Sequence, residues 1–176
     1  MIPQKLKLDI ERAYVDTMMS VLAQGLVATS RIDKSVHSEF SHFPQGYQVQ
    51  MTVMPHGPGF LLEANGDGTV DLAKIPKPKP DLCVKFKHHS HALLVLTFQE
   101  GTARAFANDR MIADGDVANA VRLIRCMNKM EALILPKMVA KLALKRYPEM
   151  PLLQKMIKAT YIYSLVAKNL LLGKSK

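Results

Sequence analysis

The chain has 176 residues, with 24 Lys and Arg against 15 Asp and Glu, giving a net charge of +9. At about 150 residues per domain, one domain is expected, large enough to bury a core without staples. Two cysteines, Cys83 and Cys126, lie far apart in apolar surroundings. This excludes a disulfide framework and a metal-ligand spacing, and it reads as two buried free thiols.

The opening MIPQKLKLDIERAY has no uninterrupted apolar run and no small-residue cleavage site. The reading is therefore a reduced, cytoplasmic protein. Residues 5 to 28 carry helical periodicity, with Ile10, Tyr14, Met18, Val21, Leu22 and Gly25 at three- and four-residue steps. A polar stretch, SRIDKSVHSEFSHFPQG, follows as a link. In GYQVQMTVMP, Tyr47, Val49, Met51 and Val53 alternate with polar residues, the period of a half-buried strand. HGPG is turn chemistry, FLLEA a second strand, NGDG another turn and TVDLA a third strand. Together they predict an antiparallel meander.

KIPKPKPD has three prolines at alternate positions, which favours an extended, solvated link. DLCVKFK reads as a fourth strand. ALLVLTF fits strand or helix by periodicity alone, with Gly101 close behind as a helix stop would be. TARAFAN suggests a short helix and RMIADGD a fifth strand. Asp116 is a plausible N-cap for a long helix stepping through Ala120, Leu123, Met127, Met130 and Ile134, interrupted at Pro136.

Residues 1–135 read as the domain proper, and 136–176 as a basic amphipathic helical extension of it. That extension holds nine Lys or Arg against Glu149 alone, so nearly all the excess charge lies there. Such asymmetry points to an anionic partner. Its basic residues interleave with Leu, Ile, Met and Val, whereas single-strand binders combine a basic groove with exposed aromatics. A membrane surface therefore fits better than nucleic acid, with Lys137, Lys141, Lys145, Lys155 and Lys158 as the contacting residues. The apolar stretch LLQKMIKATYIYSLVAKNLLLG has lysines at 158 and 168, too close together for the roughly 20 residues of a membrane span.

His88, His89 and His91 form the sharpest polar cluster. Residues three apart share a helical face, so His88 and His91 make half of a metal site at most, with no Cys, Asp or Glu within six residues of His91. Zinc wants three or four ligands, so no metal is expected and the triplet reads as a solvated helix start. For a nucleophile, Cys83 lies on an apolar strand, while Cys126 has Arg122 and Arg125 nearby to lower its pKa. Neither lies in a nucleophile motif, so no catalytic residue and no cofactor are expected.

The stretches PDLCVKF, ALLVLTFQEG and ARAFANDRMIADGDVANAVRLI carry a resemblance, with Pro80–Asp81, Gly101, Ala105 and Gly115–Asp116 at its fixed points. Together with GPGFLLEANGDG, residues 44 to 135 resemble the type-two sterol carrier protein family of lipid-transfer domains. The resemblance implies an α/β (α+β) fold: a five-stranded, mostly antiparallel sheet packed on helices, with an apolar cavity between. It also implies a non-catalytic protein that binds and transfers a fatty acid, sterol, phospholipid or quinone-like molecule. The alternative is an accessory factor presenting an intermediate, such as a quinone precursor, to biosynthetic enzymes. The expected cavity lining is Phe60, Leu62, Leu93, Leu96, Phe98, Phe106, Met111, Ile124, Met127 and Met130. The expected location is the cytoplasm, peripheral at the membrane.

Overall fold

The computed structural model describes residues 4–134 and 152–173. In chain order these are α1 (Gln4–Ile32), α2 (Lys34–Phe40), β1 (Gln48–Val53), β2 (Gly59–Ala64), β3 (Val70–Leu72) and β4 (Leu82–Phe86). Then come α3 (His89–Leu96), α4 (Thr102–Ala107), β5 (Met111–Gly115), α5 (Val117–Ile134) and α6 (Leu152–Gly173). The five strands form one sheet in the order β3-β2-β1-β4-β5. β1 runs parallel to β4, and every other pairing is antiparallel.

Strand alternation builds the core. Val49, Met51 and Val53 of β1, Phe60, Leu62 and Ala64 of β2, and Leu82, Val84 and Phe86 of β4 are all buried. Register aligns them in rows across the sheet, with Met51 opposite both Phe60 and Val84. Helices cover that face. α1 contributes Val15, Met19, Leu22 and Leu26, buried at steps of four, three and four residues. This stripe is offset from the expected one, because Ile10 and Tyr14 are exposed. The first turns of α1 carry an exposed apolar face in which Leu6 and Ile10 each keep half or more of their surface in solvent. Where α1 crosses α5, Gly25 is required: a Cβ there would stand 2.9 Å from Met130 Sδ.

The link read into SRIDKSVHSEFSHFPQG is in fact a helix, α2. Asp33 takes an extended conformation, ends α1 and caps α2, accepting bonds from the Ser35 and Val36 amides. Val36 and Phe40, one turn apart, anchor α2 in the core. The ambiguity of ALLVLTF resolves as helix. The chain leaves β4 at Phe86, already the far end of its pairing with β1 and β5. Gly101 is not a stop for α3, since it serves as N-cap of α4. α3 instead ends in a Schellman motif with Phe98 as its left-handed residue, φ 61°. The Gln99 amide donates to Leu94 O and the Phe98 amide to Val95 O. α4 ends the same way on Asp109, φ 56°.

The Pro-rich link is the crossover that makes β1 and β4 parallel. β3 is only three residues long, and Leu72 and Leu82 lie level across the sheet, both in register with the Leu62–Val49 pair. The link therefore has only to pass sideways over β2 and β1. Gln48 holds it: its Nε2 donates to Ile75 O at 2.8 Å, and its Oε1 accepts the Lys77 amide at 2.8 Å. Asp81 closes the crossover by accepting the Gln48 amide at 2.8 Å. Next to it, Gly115 has φ 136°, and a Cβ there would lie 2.6 Å from Asp81 O.

α6 packs on α1 and α5 through a second apolar cluster of Ala28, Leu133, Ile162 and Val166. Among the described residues no helix is long and apolar enough to cross a membrane. The expected helix over KMVAKLALKRY lies outside the described residues.

Candidate functional site

The ten residues expected to line a cavity separate into two groups. Phe60, Leu62, Leu96, Met111, Met127 and Met130 are buried in the main core, packed with α1 and the sheet. Leu93 and Phe106 are partly buried against that core, and Phe98 and Ile124 are half-buried. The first group shares its space with Met19 and Met51, so five buried methionines (Met19, Met51, Met111, Met127 and Met130) belong to one cluster between sheet and helices. Thioether chains repack at low cost.

Among the clefts formed by the described residues are two that none of the ten residues lines. The smaller, about 160 Å³, is bounded by Ser35, Val36, Glu39, Arg125, Cys126 and Lys129. The larger, about 780 Å³, lies between α1, the β1–β2 connection and the start of α3. Its walls include Arg12 and Asp16 from α1, Val53 to Pro58, and His89. Sequence reading passed over this cleft. HGPG reads only as turn chemistry, and nothing in the spacing of residues 12, 56 and 89 announces that they converge.

The thiols are chemically quiet. Cys126 is fully buried, and burial, then the nearby Glu39 and Asp33, push its pKa up to about 12. The expected activation by Arg122 and Arg125 fails because both guanidiniums are taken by Glu39, at 3.0 and 3.2 Å. Arg122 still lowers the thiol pKa, but burial, Glu39 and Asp33 outweigh it. Cys83 is likewise raised, chiefly by burial, and its thiol donates to Gln50 Oε1 at 3.1 Å.

His88 and His91 do share a face, with ring centroids 5.5 Å apart and edge to face. The histidine triplet is less solvated than expected, however. His89 and His91 are half-buried, and His89 Nε2 and His91 Nδ1 are shielded with no hydrogen-bond partner among the described residues. No group of three His, Cys, Asp or Glu side chains is placed to hold a metal ion among the described residues.

Of the five lysines expected to meet a membrane, Lys137, Lys141 and Lys145 lie outside the described residues. Lys155 is on α6. Lys158 turns inward, its Nζ 2.7 Å from Oδ2 of the buried Asp33. Burial raises the Asp33 pKa, but bonds from Lys158 and Ser35 outweigh it and leave the carboxyl at about 2. The exposed side of α6 instead presents Met156, Ile157, Tyr161 and Tyr163.

No protein-family model matches the sequence, and no curated protein matches it. Among solved structures, the chain is similar to a UbiJ-SCP2 ubiquinone synthesis protein, with 12% identity and a TM-score of 0.43 over 72% of this chain and 99% of that one. It is also similar to the apo form of sterol carrier protein 2 from Yarrowia lipolytica, at 17% identity and TM-score 0.41, over 62% and 88% of the two chains. Sterol carrier protein domain 2 of Helicoverpa armigera gives 15%, 0.40, and 64% and 84%. The sterol carrier proteins are of the family that residues 44–135 resemble.

Proposed function

We propose that the protein is a non-catalytic binder of an apolar or amphipathic small molecule, taken up between the sheet and its helical cover. The observation that carries this reading is the methionine-rich interior facing the sheet. Met19, Met51, Met111, Met127 and Met130 are all buried there, and unbranched thioether chains rearrange around guests of differing shape more readily than β-branched ones. Half-buried Leu93, Phe98, Phe106 and Ile124 continue the apolar surface outward. Uptake is driven by burial of the guest, about 0.8 kcal/mol per methylene, less the cost of moving the methionines. The raised thiols and the absence of a nucleophile motif fit a protein that holds a ligand and leaves it unchanged.

Delivery at an anionic membrane surface belongs to the same reading. The exposed Met156, Ile157, Tyr161 and Tyr163 of α6, with Lys168 also exposed, form an amphipathic face of the kind that lies in an interface.

Native mass spectrometry of the protein as purified, together with titration by a fluorescent fatty acid, tests the first part. A retained lipid or a saturable uptake of one equivalent is expected. Absence of both a retained mass and saturable uptake overturns the proposal. For the membrane, flotation with vesicles containing phosphatidylserine is expected to fall several-fold in the Ile157→Glu/Tyr161→Glu variant. Flotation unchanged by those charges removes the role of α6.

A further inference from the structure

We infer that Glu131 is the polar anchor of the interior site, its carboxyl donating a hydrogen bond to the carbonyl oxygen of an otherwise apolar, uncharged guest. This rests on the reading that a guest enters between the sheet and its helical cover. It adds the guest's chemical class: a long-chain ketone or ester, preferred to a fatty carboxylate.

On α5, Ile124, Met127, Glu131 and Ile134 follow one another at steps of three, four and three residues, which puts them on one stripe of the helix. Met127 is buried in the methionine cluster, Ile124 is half-buried, and Ile134 packs against both apolar clusters. Glu131 is the one polar member of the stripe, and it is only 7% exposed. A helical side chain lies over the turn that precedes its own Cα. The carboxyl therefore lies over the turn that carries Met127, beside the chains that would rearrange around a guest.

Glu131 makes no hydrogen bond or ion pair among the described residues. A buried carboxyl without a partner destabilises the empty fold, where an apolar side chain would complete the stripe. Such a group marks a place where a ligand or water belongs. The fully enclosed polar atoms without a partner lie on His89, His91, Glu100 and Arg110. Glu131 is not among them, so its carboxyl keeps accessible surface that a guest can reach.

Burial raises the Glu131 pKa to about 7 and is the sole cause of that rise. α1 has no titratable side chain between Asp16 and Arg31. Charges on the elements packed against α5 are engaged elsewhere: Arg31 of α1 with Asp71, Glu39 of α2 with Arg122 and Arg125, Lys158 of α6 with Asp33, and Asp114 of β5 with Lys79. No cation thus stands by to hold the carboxylate form. The neutral acid is an O–H donor, which suits a carbonyl oxygen. A guest carboxylate would instead carry an unpaired charge into the same apolar surroundings.

The test uses the full chain at about pH 6, where the acid is protonated, with a long-chain methyl ketone isotope-labelled at its carbonyl. Infrared spectra of the complex read the carbonyl stretch. It is expected to lie below its value for the same ketone in hydrocarbon, and to return to that value in Glu131→Leu. It should stay low in Glu131→Gln, whose amide also donates. Relative to the alkene of equal length, the ketone should lose about three- to ten-fold in affinity in Glu131→Leu. Saturable binding with the same stretch in wild type and Glu131→Leu overturns the anchor and leaves the interior site standing. So does a stretch that rises in Glu131→Gln as far as in Glu131→Leu. Saturable binding of neither ketone nor alkene overturns both readings.

Discussion

Asp33 and Lys158 are 125 positions apart in sequence and 2.7 Å apart in space. One carboxylate does two jobs: Oδ1 caps α2, and Oδ2 holds α6 against the domain. Removing the lysine leaves a buried carboxylate with only its cap bonds, which is the costly way to break a buried pair.

The pH dependence of that pair follows from its sign. The folded pKa of Asp33, about 2, lies below the ordinary 3.8. Its contribution is therefore present above about pH 4 and is lost as pH falls toward 2. The full effect is on the order of 2 kcal/mol. Lys158→Met should move the acid-unfolding midpoint to higher pH, followed by circular dichroism between pH 2 and 5. An unmoved midpoint would show that the pair does not hold α6.

Glu131 acts in the opposite sense. It is 7% exposed on α5, and burial raises its pKa to about 7. The folded chain holds this proton where the unfolded chain has released it, so stability declines as pH rises from about 4.5 to about 7. Glu131→Gln should flatten that decline and raise stability at pH 7.5 by roughly 2–3 kcal/mol. Urea titrations of both proteins at pH 5 and 7.5 measure it, and parallel curves would refute it.

Two helices end on left-handed residues other than glycine. Asp109 is exposed, and its ion pair with Lys87 is a surface contact of small worth. Asp109→Gly should stabilise the protein by up to about 1 kcal/mol, because glycine adopts this conformation without a Cβ penalty. The same change at Phe98 forfeits a half-buried ring and should destabilise. Thermal melts of both variants check the opposite signs.

Gln48 is the most heavily bonded buried polar side chain of the sheet. It meets Glu63, Ile75 and Lys77 through its amide group, each at 2.8 Å. Gln48→Ala strands these partners under the crossover and should cost about 2–4 kcal/mol. Proteolysis within residues 73–81 should accelerate in the same variant. Wild-type resistance there would mean that the prolines hold the link without Gln48.

Much of this architecture is legible along the chain because it is local. Alternation in QVQMTV and the glycines of NGDG specify strand and turn from neighbouring residues alone, as does the alternating proline of KIPKPKPD. Asp116 was readable as a cap, and its Oδ1 does accept the Asn119 amide at 2.8 Å. Asp33 is the same kind of signal, but in SRIDKSVHSEF only Val36 and Phe40 mark the buried face of a seven-residue helix. So short a helix is stabilised by what it packs on and hardly by its own propensity.

What distance in sequence hides, tertiary structure decides. Periodicity and turn residues marked separate strands and helices, the family resemblance implied that five strands join in one sheet packed on helices, and apolar surroundings placed both cysteines inside. Which stripe of α1 is inward depends on where the sheet ends beneath it, so Ile10 is left exposed, and Tyr14 keeps only a hydroxyl bond to Leu96 O at 2.9 Å. Whether Arg125 activates Cys126 depends on Glu39, 86 residues earlier. Whether Lys158 faces a membrane depends on Asp33. Electrostatic and packing energies fall off with separation in space, and separation along the chain says little about that once the chain has folded.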